Sequence, residues 1–171
     1  MEMQEEIHAL LIKEIKRRLI EESIPRILKC LTYLNEEEIW YRPNENTVST
    51  GNLILHLMGN VNQWIVSALG GVADNRIRTS EFDHRVSKPK SELISGLKQL
   101  SNQIQSTLNK LSTEELVKEH NVQGYNETTI AILIHVTEHF SYHTGQITYI
   151  VKSLKNVDTQ YYTGVDLNKK N

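Results

Sequence analysis

Residues 128–154 read TTIAILIHVTEHFSYHTGQITYIVKSL. Stepping along them by four and three picks out Ile132, Val136, His139, His143, Gln146 and Ile150, the spacing of one helical face. Three polar side chains, two of them imidazoles, therefore interrupt an apolar stripe. Residues four apart differ by about 6 Å of rise and about 40° of rotation, so both rings can point at one common atom. His135 lies a further turn back and is rotated about 40° beyond that direction, which predicts a packing or supporting role and not a ligand.

Three more stretches carry the same periodicity, at about residues 4–34, 50–69 and 89–111. Pro25 predicts a kink or break near Ser23 and Ile24 in the first. Gly70-Gly71 stops the second, Pro89 suits the first turn of the third, and Ser112 with Glu115 resembles a capping box for a short following helix. No strand pattern of comparable length competes. Four amphipathic helices in one small chain predict an all-α four-helix bundle over residues 1–155, followed by a polar tail, 156–171, whose last residues are loose. The connections 35–49, 71–88 and 112–127 exceed ordinary bundle turns, which disfavours a simple up-down-up-down path.

Composition narrows the function. At 171 residues the chain is long enough for one full core without staples, so a metal here would serve chemistry and not folding. Nineteen Lys and Arg stand against 21 Asp and Glu, a net charge of −2 with no basic block, which disfavours nucleic acid. The longest apolar run, Ile130 to Ile134, is far below the roughly 20 residues that span a bilayer, so no membrane partner is predicted. An acidic start without a basic or apolar leader, and a single cysteine, Cys30, predict a cytoplasmic protein.

The second helix repeats the anomaly of the fourth. Asn52, His56, Asn60 and Gln63 form a polar line flanked by Leu53, Leu57, Val61 and Trp64 on one side and by Ile54 and Ile65 on the other. Turned inward, these groups must bond one another, water or a metal. Imidazoles from two helices converging on one point suit Zn²⁺ or a similar ion, with room left for water or substrate. Two alternatives stand beside this: histidines hydrogen-bonded to core carbonyls, or a chance pair at a spacing of four. His8, His84 and His120 fall on an exposed face or in connections and are predicted to be solvated. The sequence His139-Phe-Ser-Tyr-His143 lacks the glutamate that follows the first histidine of zinc proteases, which disfavours proteolysis.

Gly51-Asn-Leu-Ile-Leu-His56-Leu-Met-Gly-Asn-Val-Asn-Gln-Trp64, together with Glu138-His139-Phe-Ser-Tyr-His143-Thr-Gly-Gln146, resembles the DinB/YfiT-like superfamily of metal-binding four-helix bundles. The resemblance covers nearly the whole chain and rests most specifically on one helix-two histidine combined with H-x3-H-x-G-Q on helix four. It implies one divalent metal per chain, zinc or nickel, held by His56, His139 and His143. It also implies a transferase that joins a low-molecular-weight thiol to an electrophile, the activity of characterised relatives. Thr144 stands where many relatives carry arginine, and Tyr142 where histidine is common. These departures leave the metal residues intact and bear on the substrate.

A metal-assisted hydrolase, for which no general base is evident, and a non-catalytic metal- or ligand-binding bundle are the competing expectations. Asn60, Gln63 and Gln146 are candidates to orient ligands, and Arg76 and Arg78 either pair with an anionic thiol or form plain surface charge. Gly59 and Gly145 predict close helix approach beside the site. Outward apolar residues Trp64, Ile65 and Leu69 predict a homodimer with a separate metal site in each bundle.

Overall fold

The computed structural model describes residues 2–83 and 87–170. Its first long helix comprises α1 (Met3–Lys16), a π-helical stretch Arg17–Ser23, and α2 (Ile24–Tyr33). The break expected near Ser23 does not occur, because Lys16, Arg17, Ser23 and Ile24 all keep right-handed helical torsions. Pro25 has no N–H to donate, and the wider π turn ahead of it carries the chain past the missing bond.

A short α3 (Glu36–Trp40) follows, with Asn35 and Glu38 forming a reciprocal capping box. Then comes α4 (Thr50–Val61), opened by Ser49 and Asn52 in the same way and prolonged by the π-helical stretch Asn62–Ser67. A single turn, α5 (Arg78–Glu81), lies within the next connection. The third long helix is α6 (Lys90–Leu108), with Pro89 as its N-cap. The fourth is α7 (Thr129–Lys155), capped by the Thr128 hydroxyl, which accepts from the Ala131 amide. After α6, Glu114–Val117 forms a 3₁₀ turn in which only half of the expected capping box is made, the Ser112 amide donating to Glu115.

One element was not expected. Strands β1 (Glu119–Val122) and β2 (Tyr125–Thr128) pair antiparallel across Gln123-Gly124, both of which have positive φ, 51° and 85°. That is the backbone of a tight primed turn, and glycine carries its second position without strain. The hairpin covers the π-helical stretch that prolongs α4: Trp64 Nε1 donates to Gln123 Oε1 at 3.0 Å, and the Trp64 ring lies 6.3 Å from that of Tyr125.

The α1–α2 helix packs against α6 and α7, and α4 also packs against α6 and α7. The first and second long helices therefore sit across a diagonal, as do the third and fourth. Residues 34–49 and 109–128 must cross the bundle ends, which excludes a simple up-down-up-down order. The second and third helices are neighbours, so the length of the connection between them has a different purpose, met below. Leu19, Ile27, Leu31, Ile54, Leu57, Leu97, Ile132 and Phe140 lie in the buried core.

The tail is not separate along its length. Thr159 is buried, and the Tyr161 hydroxyl lies 3.0 Å from Cys30 Sγ and 2.9 Å from Thr148 Oγ1. Burial and the neighbouring thiol push that phenol up to about 12. Trp64 and Ile65 are only 5% and 0% exposed while Leu69 is half-buried, so two of the three residues that argued for pairing with a second chain are covered within this one. Among the described residues no helix is long and apolar enough to cross a membrane.

Candidate metal centre

Adjacent helices α4 and α7 bring three imidazoles together. His139 Nε2 lies 3.0 Å from His56 Nε2 and 3.1 Å from His143 Nε2. Proton bookkeeping shows what this arrangement lacks. The nearest partner of His56 Nδ1 is Glu81 Oε2 at 2.8 Å, which can only accept, so that nitrogen carries the proton; Arg76 Nη2, 3.2 Å from it, donates instead to Glu81 Oε2 at 2.9 Å. Gln146 Oε1 lies 2.6 Å from His143 Nδ1 and fixes the same tautomer there. The Nε2 atoms of His56 and His143 are then bare lone pairs directed at a third Nε2, which has at most one hydrogen for both. His139 Nδ1 is buried without a partner. A cation satisfies three converging lone pairs where a single N–H cannot. Tetrahedral zinc with Zn–N of roughly 2.0–2.1 Å would ask for about 3.3 Å between each pair of nitrogens, which the two separations from His139 approach, and all three ligand atoms lie within 4.8 Å of one another. The donor set fits a divalent ion.

Charge state points the same way. Burial first, then the neighbouring imidazoles and Arg76, push His139 down to about 3 from the usual 6.5. Burial likewise lowers His143, against the opposing hydrogen bond that it donates to Gln146. Neutral imidazoles are the form that binds metal. A histidine held neutral when folded gains its proton on unfolding, so between about 6.5 and 3 the unfolded chain binds more protons and stability falls as pH falls. Allowing for partial exposure, His139 is expected to cost the metal-free protein about 1 kcal/mol at pH 5, some 2–4 °C in thermal midpoint. Melts between pH 7.5 and 5 check this. A pH slope no flatter in His139→Gln would contradict it.

The long connection 68–89 builds the outer wall. Its Arg76 Nε donates to Glu81 Oε1 at 2.7 Å, and its Nη2 to Glu81 Oε2 at 2.9 Å. Their side chains are 4% and 8% exposed. Burial alone would raise the Glu81 carboxyl, but hydrogen bonds from Arg76 and His56 hold it below the usual carboxylate range. Helix α4 fastens the connection at two points. Asn52 Nδ2 donates to the Glu81 carbonyl at 2.9 Å, and Gln63 both accepts from Arg76 Nη1 at 2.9 Å and donates to Asp74 at 2.7 Å. The polar line on α4 thus serves this connection as much as the histidines. Gln63 is bonded to Arg76 and Asp74, and Arg76 to Gln63 and Glu81, so Arg76 is not surface charge.

Glu81 is the residue that sequence reasoning missed. One signal pointed at it: Gly59 lies on the same polar helix, and a Cβ there would stand 2.0 Å from Glu81 Oε1. The approach that Gly59 permits is of this pinned carboxylate and not of another helix. Gly59→Ala is expected to lower stability by about 1–3 kcal/mol, although alanine normally gains about 1 kcal/mol over glycine in a helix. Gly145 behaves oppositely, since a Cβ there meets nothing within 4 Å, which corrects the expectation of close approach. Gly145→Ala is expected to raise stability by about 0.5–1 kcal/mol. Thermal melts of the two variants should move in opposite directions.

Beside the histidines lies a polar cleft of about 400 Å³ lined by His56, Asn60, Trp64, Arg76, Arg78, Gln123, Tyr125, Glu127, His135 and His139. The His135 ring packs between Trp64 at 4.1 Å and His139 at 5.6 Å. Arg78 lies over the Phe82 ring at 5.1 Å. Asn60 Oδ1 is buried without a partner. His8 and His120 are half-buried, His120 bonding Thr129 Oγ1 at 2.9 Å, while His84 falls outside the described residues.

Comparison with known proteins agrees with this architecture. A DinB-like protein from Bacillus subtilis matches at a TM-score of 0.65 with 19% identity, covering 85% of this chain and 94% of that one. A DinB-like protein from Bacillus cereus matches at 0.62 with 14% identity, covering 78% and 87%. A conserved protein from Enterococcus faecalis matches at 0.66 with 15% identity, covering 82% and 94%. No curated protein matches the chain. At these identities the structures show the fold, a DinB-like helical bundle. A family model described as "Protein of unknown function (DUF1572)" matches residues 8–165, and the chain belongs to that DinB/YfiT-like family.

Proposed function

We propose that His56, His139 and His143 hold one divalent metal ion, zinc or nickel, and that the protein is a transferase joining a low-molecular-weight thiol to an electrophilic small molecule. The observation that carries this reading is the set of three Nε2 atoms meeting at 3.0 and 3.1 Å beside an open cleft. When bound, the ion supplies a positive centre that favours the thiolate of a ligand whose free pKa is near 8.5. The chain's own residues do the rest. Glu81 and Gln146 hold the tautomers that turn His56 and His143 Nε2 inward. Trp64 and His135 wall the cleft against water, and Arg78 offers a cation to a carboxylate of the incoming thiol.

A second reading, metal-assisted hydrolysis, gains one observation: Glu127 lines the same cleft and supplies the general base that spacing did not reveal. Turnover of a chromogenic aryl halide with a panel of small thiols, set against turnover of an aryl ester, separates them. Thiol-dependent product formation lost on chelation supports the transferase. Ester cleavage lost in Glu127→Gln, with no thiol reaction, replaces it.

A further inference from the structure

Neither packing nor backbone explains Gly145. It lies inside α7, its φ is not positive, and a Cβ there would meet no atom within 4 Å. Glycine in a helix is nonetheless unfavourable relative to alanine. It lines a groove of about 800 Å³, larger than the polar cleft and sharing no lining residue with it. The walls include Tyr41, Tyr142, Tyr149, Leu53, Ile150 and Leu154. Tyr142 and Tyr149 are 62% and 75% exposed, so their ring faces are available. Aspartate, glutamate, lysine and arginine make up 23% of the chain, yet none of them lines this groove. It meets the histidine cluster at one place: Gln146 lines it while accepting from His143 Nδ1, and the Tyr142 ring packs 5.0 Å from that of His143.

We propose that this groove binds an uncharged, planar aromatic small molecule lying on the bare α7 backbone at Gly145 between Tyr142 and Tyr149. A flat ring reaches helix backbone only where no Cβ holds it off, which gives the glycine its reason. Tyrosine rings favour aromatic partners in offset or edge-on contact. The volume falls in the range of small-molecule sites, and walls without charge would leave an ionic ligand desolvated and unpaired. The inference does not depend on the metal, since the groove lies on the Nδ1 side of His143, away from the converging Nε2 atoms.

The test titrates 2-naphthol into metal-free and metal-loaded protein, read by amide chemical shifts and probe fluorescence. The expected result is saturable binding with shifts centred on Gly145, Gln146 and Tyr149. Gly145→Leu places a side chain in the groove at a position where its Cβ meets no atom within 4 Å, and should weaken binding about tenfold or more without lowering the melting temperature. Tyr149→Ala, at an exposed position, should also weaken it. Equal affinity in Gly145→Leu, or shifts confined to other residues, overturns the proposal. So does sedimentation showing a dimer that Gly145→Leu converts to monomer, because the groove would then receive a second copy of the chain.

Discussion

Glu81→Ala is expected to lower the thermal midpoint by about 10 °C and to weaken metal binding 10–100-fold. The first effect follows from Arg76, whose guanidinium is 4% exposed and would be left buried opposite a methyl group. Removing one partner of a buried ion pair costs about 3–5 kcal/mol, and each kcal/mol moves a domain of this size by about 2–4 °C. The second follows from His56, which would lose the acceptor that fixes its tautomer, a change that typically costs 10–100-fold in affinity. Glu81→Gln separates the two, because an amide oxygen can still accept from His56 Nδ1 while giving Arg76 no counter-charge. Its metal affinity should fall less than that of the alanine variant, while its stability still drops. An unchanged melting temperature in Glu81→Ala would show that the Arg76–Glu81 pair does not support the wall.

His139→Ala is expected to abolish tight metal binding, an effect larger than that of any outer partner. Its Nε2 is the atom that both other histidines approach, and without it the remaining two stand on different helices. Two nitrogens leave an ion dependent on water for its other positions, so affinity should fall beyond the 10–100-fold of an outer-shell change. His135→Ala should retain the ion, since that ring stacks on Trp64 and His139 and offers no nitrogen to the cluster. Zinc titration of metal-free protein, followed by calorimetry, distinguishes them.

The four long helices were legible because each carries an apolar stripe over many turns, and the histidine cluster was legible because it broke two of those stripes. Periodicity over α7 alone placed His139 and His143 on one face, which the structure leaves half-buried beside the core face of Phe140, Thr144, Ile147 and Val151. What could not be read was short or non-local. The hairpin strands have four residues each, EHNV and YNET, with no alternation to mark them. Glu81 joins His56 across 25 positions through a single turn of helix, a contact that no spacing rule encodes. Proline chemistry predicted a disturbance near Ser23, but whether the chain breaks or widens into a π turn depends on the packing of α1 and α2 against α6 and α7. Arg76 looked like surface charge because its burial is created by the connection folding back on Gly59.

Elemental analysis of the protein purified without a histidine tag tests the metal centre most directly. The account expects about one zinc or nickel per chain in the parent and in His135→Ala, and none retained in His139→Ala. Full metal content in His139→Ala, or a parent that takes up no divalent ion after exposure to excess, would contradict it.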